Sequence, residues 1–367
     1  MPNETNRYRE LELSASKFAA RWIEPFAAEL DHTGPAFPTQ AFAAGIEAGF
    51  DRLLLPESAG GSGFELSDFC ALIRTLAQTC AGHAMVFGVH IALVKSLSEL
   101  ATENSRVLLE RVLASGRPVG IALPDMISLD RIETELKIDP AAKISGPAGL
   151  AINLAPNGFI IAFAQNDKGV PAALMIESDA KDLLAGPELA IGLRAMPAAE
   201  LKLEGKSIGR ANIVCESEQA LKLFRSIIVN VCFAVSASSL GTMEKASQKA
   251  FAYANERYQG SRMIIDHSHL KNILGAISAK AAAGRGAVFN AASDPADFLS
   301  ALQTKVRVTD SAVQVCADAV QILGGYGYMR EYGLEKMMRD SALLSLLPLS
   351  NARAELAIAD AEKKKLG

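Results

Sequence analysis

Two stretches of helical periodicity enclose a segment of quite different texture, and that order limits the fold more than any single residue does. From about Leu11 to Gly116 apolar residues recur at helical spacing, as in Leu66, Phe69, Cys70, Ile73, Leu76 and Ala77. Ser67 and Asp68 stand where a cap is wanted, and Leu55-Pro-Glu-Ser-Ala-Gly-Gly-Ser-Gly63 is a turn-rich loop that no helix crosses. From about Val119 to Cys215 glycine and proline separate short apolar or alternating runs. Of these, Gly158–Gln165, Ala172–Ile176 and Ala199–Glu204 predict strands of a small antiparallel domain. From about Ser217 long helical periodicity returns, broken near Ser293 to Pro295 and at Gly324 to Gly333, which predicts four or five long helices. The expected fold class is α+β. An N-terminal helical domain spans 1–118, a middle small β-barrel or sheet domain 119–216, and a C-terminal four-helix bundle 217–367.

At about 150 residues per domain, 367 residues allow two or three domains, and a half-hydrophobic composition suits a well-packed globular chain. Lys+Arg 37 against Asp+Glu 41 gives a net charge of −4, so no positive field gathers nucleic acid or an anionic membrane. Five scattered cysteines without a C-x-x-C point to reduced, buried thiols. The polar N-terminus reads as a helix and not a signal peptide. The most apolar stretch, Ile227 to Leu240, falls short of the ~20 residues of a membrane span. A cytoplasmic protein with no membrane or nucleic-acid partner is expected.

Few residues propose chemistry by themselves. His267 and His269 are i, i+2 and diverge on a helix, which disfavours a metal pair. His83 and His90 are seven apart near one face, with no third ligand identifiable. Glu331 and Glu335 fit a charged helix face near a positive helix end. None marks itself as a base, so no catalytic residue is assigned.

Local words narrow the fold. Phe37-Pro38, Ala48-Gly49-Phe50, Leu55-Pro56-Glu57 and Gly60-Gly61-Ser62-Gly63 resemble the N-terminal domain of the acyl-CoA dehydrogenase family. Gly192-Leu-Arg-Ala-Met-Pro-Ala-Ala-Glu-Leu201 is similar to a segment of that family's β domain. Tyr253-Ala-Asn-Glu-Arg257, Gln321-Ile-Leu-Gly324-Gly325-Tyr-Gly327-Tyr328 and Met338-Arg339-Asp340 resemble words of its bundle. The likeness covers roughly residues 31 to 365. It implies an oxidoreductase of fatty acid metabolism with bound FAD, an acyl-CoA substrate or ligand, and at least a dimer. Arg257 would reach the FAD diphosphate across the subunit interface, and Gln321, Gly324 and Gly325 would lie along the cofactor. Locally, Gly324 to Gly327 also read as a helix end.

The same likeness exposes departures. The family's reaction removes an α-proton with a carboxylate, and a gapless match places Pro348 where that glutamate stands. Proline removes both the acid and a backbone N–H. The alternative position, on the first bundle helix, falls at Val231 or Cys232, and two further substrate-facing positions fall on Val229 and Cys232. Cys232 reads as a small core hydrophobe more simply than as a nucleophile. In the β domain Pro124 replaces a flavin-bonding Thr, Ser128 matches only across a one-residue gap, and Ala151-Ile-Asn153 lacks an aromatic over the flavin. The lone tryptophan, Trp22, lies in the first helix. Two readings follow: a flavoprotein of acyl-CoA dehydrogenase type whose activity is altered or lost, or a non-catalytic subunit completing the FAD site of a catalytic paralogue. Homodimer, homotetramer and heterotetramer all fit.

Overall fold

The computed structural model describes residues 2–100, 102–124, 131–178, 184–185, 190–293 and 297–366. Six helices come first: α1 (Pro2–Trp22), α2 (Glu24–Thr33), α3 (Thr39–Glu47), α4 (Leu66–Ala77), α5 (Ala81–Ser98) and α6 (Glu103–Ser115). Asp68 caps α4 as expected, accepting from the Glu65 backbone N–H at 3.0 Å. The cap residue itself is Glu65 and not Ser67. Helix α5 has no polar face: Ala81 to Val94 are all buried, so it is the central post of this domain.

Eight strands follow: β1 (Val119–Leu123), β2 (Lys137–Ile138), β3 (Lys143–Ile152), β4 (Phe159–Asn166), β5 (Pro171–Glu177), β6 (Leu184–Ala185), β7 (Ala198–Ser207) and β8 (Ile213–Glu216). They form one sheet in the order β6-β7-β3-β1-β4-β5-β8, with β2 bridging β3 and β4. The sheet is mixed, not antiparallel as expected. β1 runs parallel to β4, pairing Val119 with Phe159, because the chain returns to the sheet centre after β3. Strand β4 shows why its run is continuously apolar. Ile160, Ala162 and Ala164 enter a core inside the β domain, whereas Phe159, Ile161 and Phe163 alternate onto the helices. The sheet thus buries both faces.

Helix α7 (Ser217–Glu256) opens the bundle, followed by a short hairpin of β9 (Tyr258–Gln259) and β10 (Arg262–Met263), then α8 (Ser268–Ser293), α9 (Phe298–Leu323), α10 (Leu334–Leu344) and α11 (Asn351–Leu366). The apolar stretch Ile227 to Leu240 is part of α7, a single helix of 40 residues. Both α5 and α7 are long and apolar enough to cross a bilayer by length and composition, yet 89% and 83% of their apolar windows are buried inside the protein. Charge ties the helices where they cross. Glu244 on α7 accepts from Arg74 of α4 at 2.7 Å and from Arg285 of α8 at 2.7 Å.

Candidate functional site

A groove of about 1010 Å³ separates the β domain from the loop between α10 and α11. Leu123, Pro124 and Pro147 to Leu150 form one wall, and Leu346, Pro348 and Leu349 the other. Pro348 therefore stands at the groove, after a cis Leu347-Pro348 bond. The loop is shaped from behind by a residue that the sequence reading missed. Lys305 on α9 is wholly buried, and its ammonium donates to Ser345 O at 2.7 Å, Leu349 O at 2.7 Å and Asn351 Oδ1 at 2.6 Å. Burial pushes this lysine down to about 8, although Cys232 and Asp310 pull the other way. Its signal was a lysine on the apolar face Leu302, Lys305, Val308, Thr309 and Ala312.

No acid reaches the groove from the bundle among the described residues; its carboxylates, Glu133, Glu135 and Glu200, all belong to the β side. The second base position is equally bare. Val231 and Cys232 are fully buried in the core, and burial pushes the Cys232 thiol up to about 12 despite Lys305. Val229 is half-buried and faces a separate cleft beside Arg225 and Asn230.

The remaining cofactor candidates gather at the far end of the bundle. Arg257 lies one residue past α7, its N–H still bonded to Tyr253 O at 2.9 Å. Tyr253, one helical turn before it, packs on Tyr326 of the turn after α9 with centroids 6.1 Å apart. Gly324 takes φ +58 and ends α9, as the helix-end reading requires, and a Cβ on Gly327 would meet Val320 O at 2.3 Å. A Cβ on Gly324 or Gly325 would meet nothing within 4 Å. Arg257, Gln321, Gly324 and Gly325 are all exposed, and Tyr328 beside them is 81% exposed. Among the described residues the Arg257 side chain has no hydrogen bond or ion pair. Ser128 lies outside the described residues. Asn153, at φ +59, is a buried strut donating to Val119 O at 2.9 Å.

His90 and His267 are structural. His90 is buried, accepts from the Val119 N–H at 3.2 Å through Nδ1 and meets Phe42 edge-on; burial depresses it to about 3. His267 Nε2 contacts Gln259 O at 2.9 Å. No metal-binding group is present among the described residues.

Two of the sequence words meet in space. Asp340 accepts from the Leu193 N–H at 2.7 Å, and a Cβ on Gly192 would lie 2.5 Å from Arg339 O. Arg339 grips Asp31 at 2.7 Å and Glu335 at 2.7 Å and donates to Ile191 O, while Arg194 donates to Asp31 O at 2.8 Å. Burial alone would raise the Asp31 carboxyl; Arg339, Lys336 and Arg194 hold it below the usual range. One cluster thus clamps the N-terminal helices, the sheet and the bundle together.

Residues 5–117 match the family model "Acyl-CoA dehydrogenase, N-terminal domain", and residues 225–348 match "Acyl-CoA dehydrogenase, C-terminal domain". The chain belongs to the acyl-CoA dehydrogenase family. Relatives in that family include "Probable acyl-CoA dehydrogenase YngJ" of Bacillus subtilis, 27% identical with 90% of each chain covered. The short-chain specific acyl-CoA dehydrogenase of Clostridium acetobutylicum is 25% identical, covering 93% of this chain and 94% of its own. Among solved structures, butyryl-CoA dehydrogenase from Megasphaera elsdenii superposes with a TM-score of 0.87 at 22% identity, covering 96% of this chain and 97% of its own. The acyl-CoA dehydrogenase fold accounts for the element order described above.

Proposed function

We propose that this protein is an FAD-linked member of its family, acting on or binding an acyl-CoA thioester, in which α,β-dehydrogenation is altered or lost. The observation that carries this reading is Pro348 on the groove wall, with no carboxylate from the bundle beside it among the described residues. An α-proton of a thioester is a weak acid, and a base held at transfer distance contributes a factor of about 10²–10⁴. Without it the chain can still bind, orient and exclude water. FAD supplies a hydride acceptor wherever it is bound. The residues fit FAD at one end. Arg257 offers a free guanidinium, and the open backbone at Gly324 and Gly325 admits close approach. At the groove end, Glu133, Glu135 and Glu200 stand among Lys202 and Arg353, so the lining offers an anionic group no net positive charge, and Pro124 has no donor to offer.

That asymmetry favours a second reading: the chain presents its Arg257–Gln321 face to a flavin seated mainly in a partner subunit that supplies its own base. The observation behind it is an exposed Arg257 with no side-chain partner of its own. The five free, buried cysteines suit a reducing cytoplasm. The deciding experiment is the visible spectrum of the purified protein, with extracted FAD counted per chain and butyryl-CoA then added under anaerobic conditions. FAD retained without bleaching supports the first reading. A colourless protein that gains FAD only on mixing with a catalytic paralogue supports the second. Prompt bleaching of the chain by itself refutes the loss of its base. Pro348→Glu alone leaves the spectrum unbleached, because Pro124, Val229 and Cys232 remain.

A further inference from the structure

A second cavity, of about 300 Å³, lies between α2, the turn joining α4 to α5, and the start of α10. Cys80 is on its wall, at the N-cap of α5 and 3% exposed. The Lys336 ammonium donates to the Cys80 sulfur at 3.4 Å and to Asp340. One turn along α5, His83 is fully buried and close enough to act on the Cys80 thiol. We propose that Cys80 is a peroxide-reactive modification site, converted to a sulfenic acid that Lys336 retains in this cavity.

The geometry supplies what such a step needs. A helix N-terminus and an adjacent ammonium both favour a thiolate, which is the nucleophilic form. Burial by itself would raise the Cys80 thiol, but Lys336 and then His83 outweigh it and bring it to about 6. Of the other four cysteines only Cys232 feels an ammonium, that of Lys305, and burial still pushes all four thiols up. At neutral pH the thiolate is therefore concentrated at one position. Its slight exposure on a cavity of about 300 Å³ admits hydrogen peroxide and other small reagents. The thiolate attacks a peroxide oxygen, an S–O bond forms as the O–O bond breaks, sulfur gives up two electrons, and the hydroxide that leaves takes up the proton that the thiol had released to solvent. Lys336 stabilises both the leaving hydroxide and the product oxygen. The site makes no use of the groove or of Arg257, so it stands or falls independently of any flavin.

The test uses the whole protein, freed of reductant, treated with hydrogen peroxide at pH 7 in the presence of a cyclic 1,3-dione that traps sulfenic acids. Labelled peptides are then mapped by mass spectrometry. Label is expected on Cys80 and on none of Cys70, Cys215, Cys232 or Cys316. Lys336→Met should slow Cys80 labelling about tenfold or more, and Lys336→Arg should retain most of it. On the unmutated protein, iodoacetamide alkylation of Cys80 should reach half its maximal rate near pH 6, a readout that needs no variant to fold. Label absent from Cys80, label spread equally over the cysteines, or an alkylation midpoint at the ordinary thiol value of about 8.5 would overturn the proposal.

Discussion

Replacing Lys305 with methionine should change how stability depends on pH. The folded chain holds this lysine near 8, against an ordinary 10.5. Below pH 8 both folded and unfolded chains carry the proton, and the folded state bears the full cost of a buried cation. At about 1.4 kcal/mol per pH unit of depression, that cost is about 3 kcal/mol. Between pH 8 and 10.5 the folded chain has released the proton while the unfolded chain still holds it, so unfolding takes one up, and stability rises with pH. Lys305→Met lacks the group and the rise. It also takes one donor from each of Ser345 O, Leu349 O and Asn351 Oδ1, which destabilises at every pH. The assay is urea unfolding followed by circular dichroism at pH 7.5 and pH 10 for both proteins. The stability difference, wild type minus variant, should grow by about 2–3 kcal/mol between those two pH values. Other titrating groups are common to both chains and cancel. A difference that stays flat, or shrinks as pH rises, would refute the reasoning, since it would mean that the ammonium is compensated in the fold.

Asp340→Ala should destabilise by about 3 kcal/mol, because it strands the Lys336 charge and the Leu193 N–H together, measurable as a lowered urea midpoint. Gly192→Ala should cost about 1–3 kcal/mol in the same assay, the added methyl meeting Arg339 O at 2.5 Å. Arg257→Ala should leave the thermal midpoint within about a degree, having no side-chain partner to lose, while lowering the FAD recovered per chain. An unchanged FAD content would remove Arg257 from the cofactor face.

Much of the architecture was legible because its signals are local. Periodicity gave α4 and the long bundle helices, and apolar or alternating runs gave β4 and β5 within a residue and β7 within three. The parallel pairing of β1 with β4 was hidden, since strand direction depends on where the chain re-enters the sheet and no short run records that. The length of α7 was partly hidden too: its apolar middle stands out, but the polar ends that complete 40 residues do not. At the groove, Pro348 could be placed by counting. Lys305 could not be valued the same way, because a lysine on an apolar helix face gains meaning only when carbonyl groups from 40 residues away close on it. The Cys80–Lys336 contact joins residues 256 positions apart, with no trace in either neighbourhood.

The cluster around Arg339 and Asp340 bears on how such a chain diverges. Met338-Arg339-Asp340 and Gly192-Leu-Arg194 are joinery: they lock three domains through a carboxylate–amide bond, a guanidinium clamp and a glycine without room for a side chain. Joinery is held in place by folding itself, whether or not a proton is ever moved nearby. An exposed groove residue such as Glu200 has no such hold on the fold and is free to drift. A chain of this frame can therefore change its surface residues while every peg stays in place, and its ancestry remains visible in the joints.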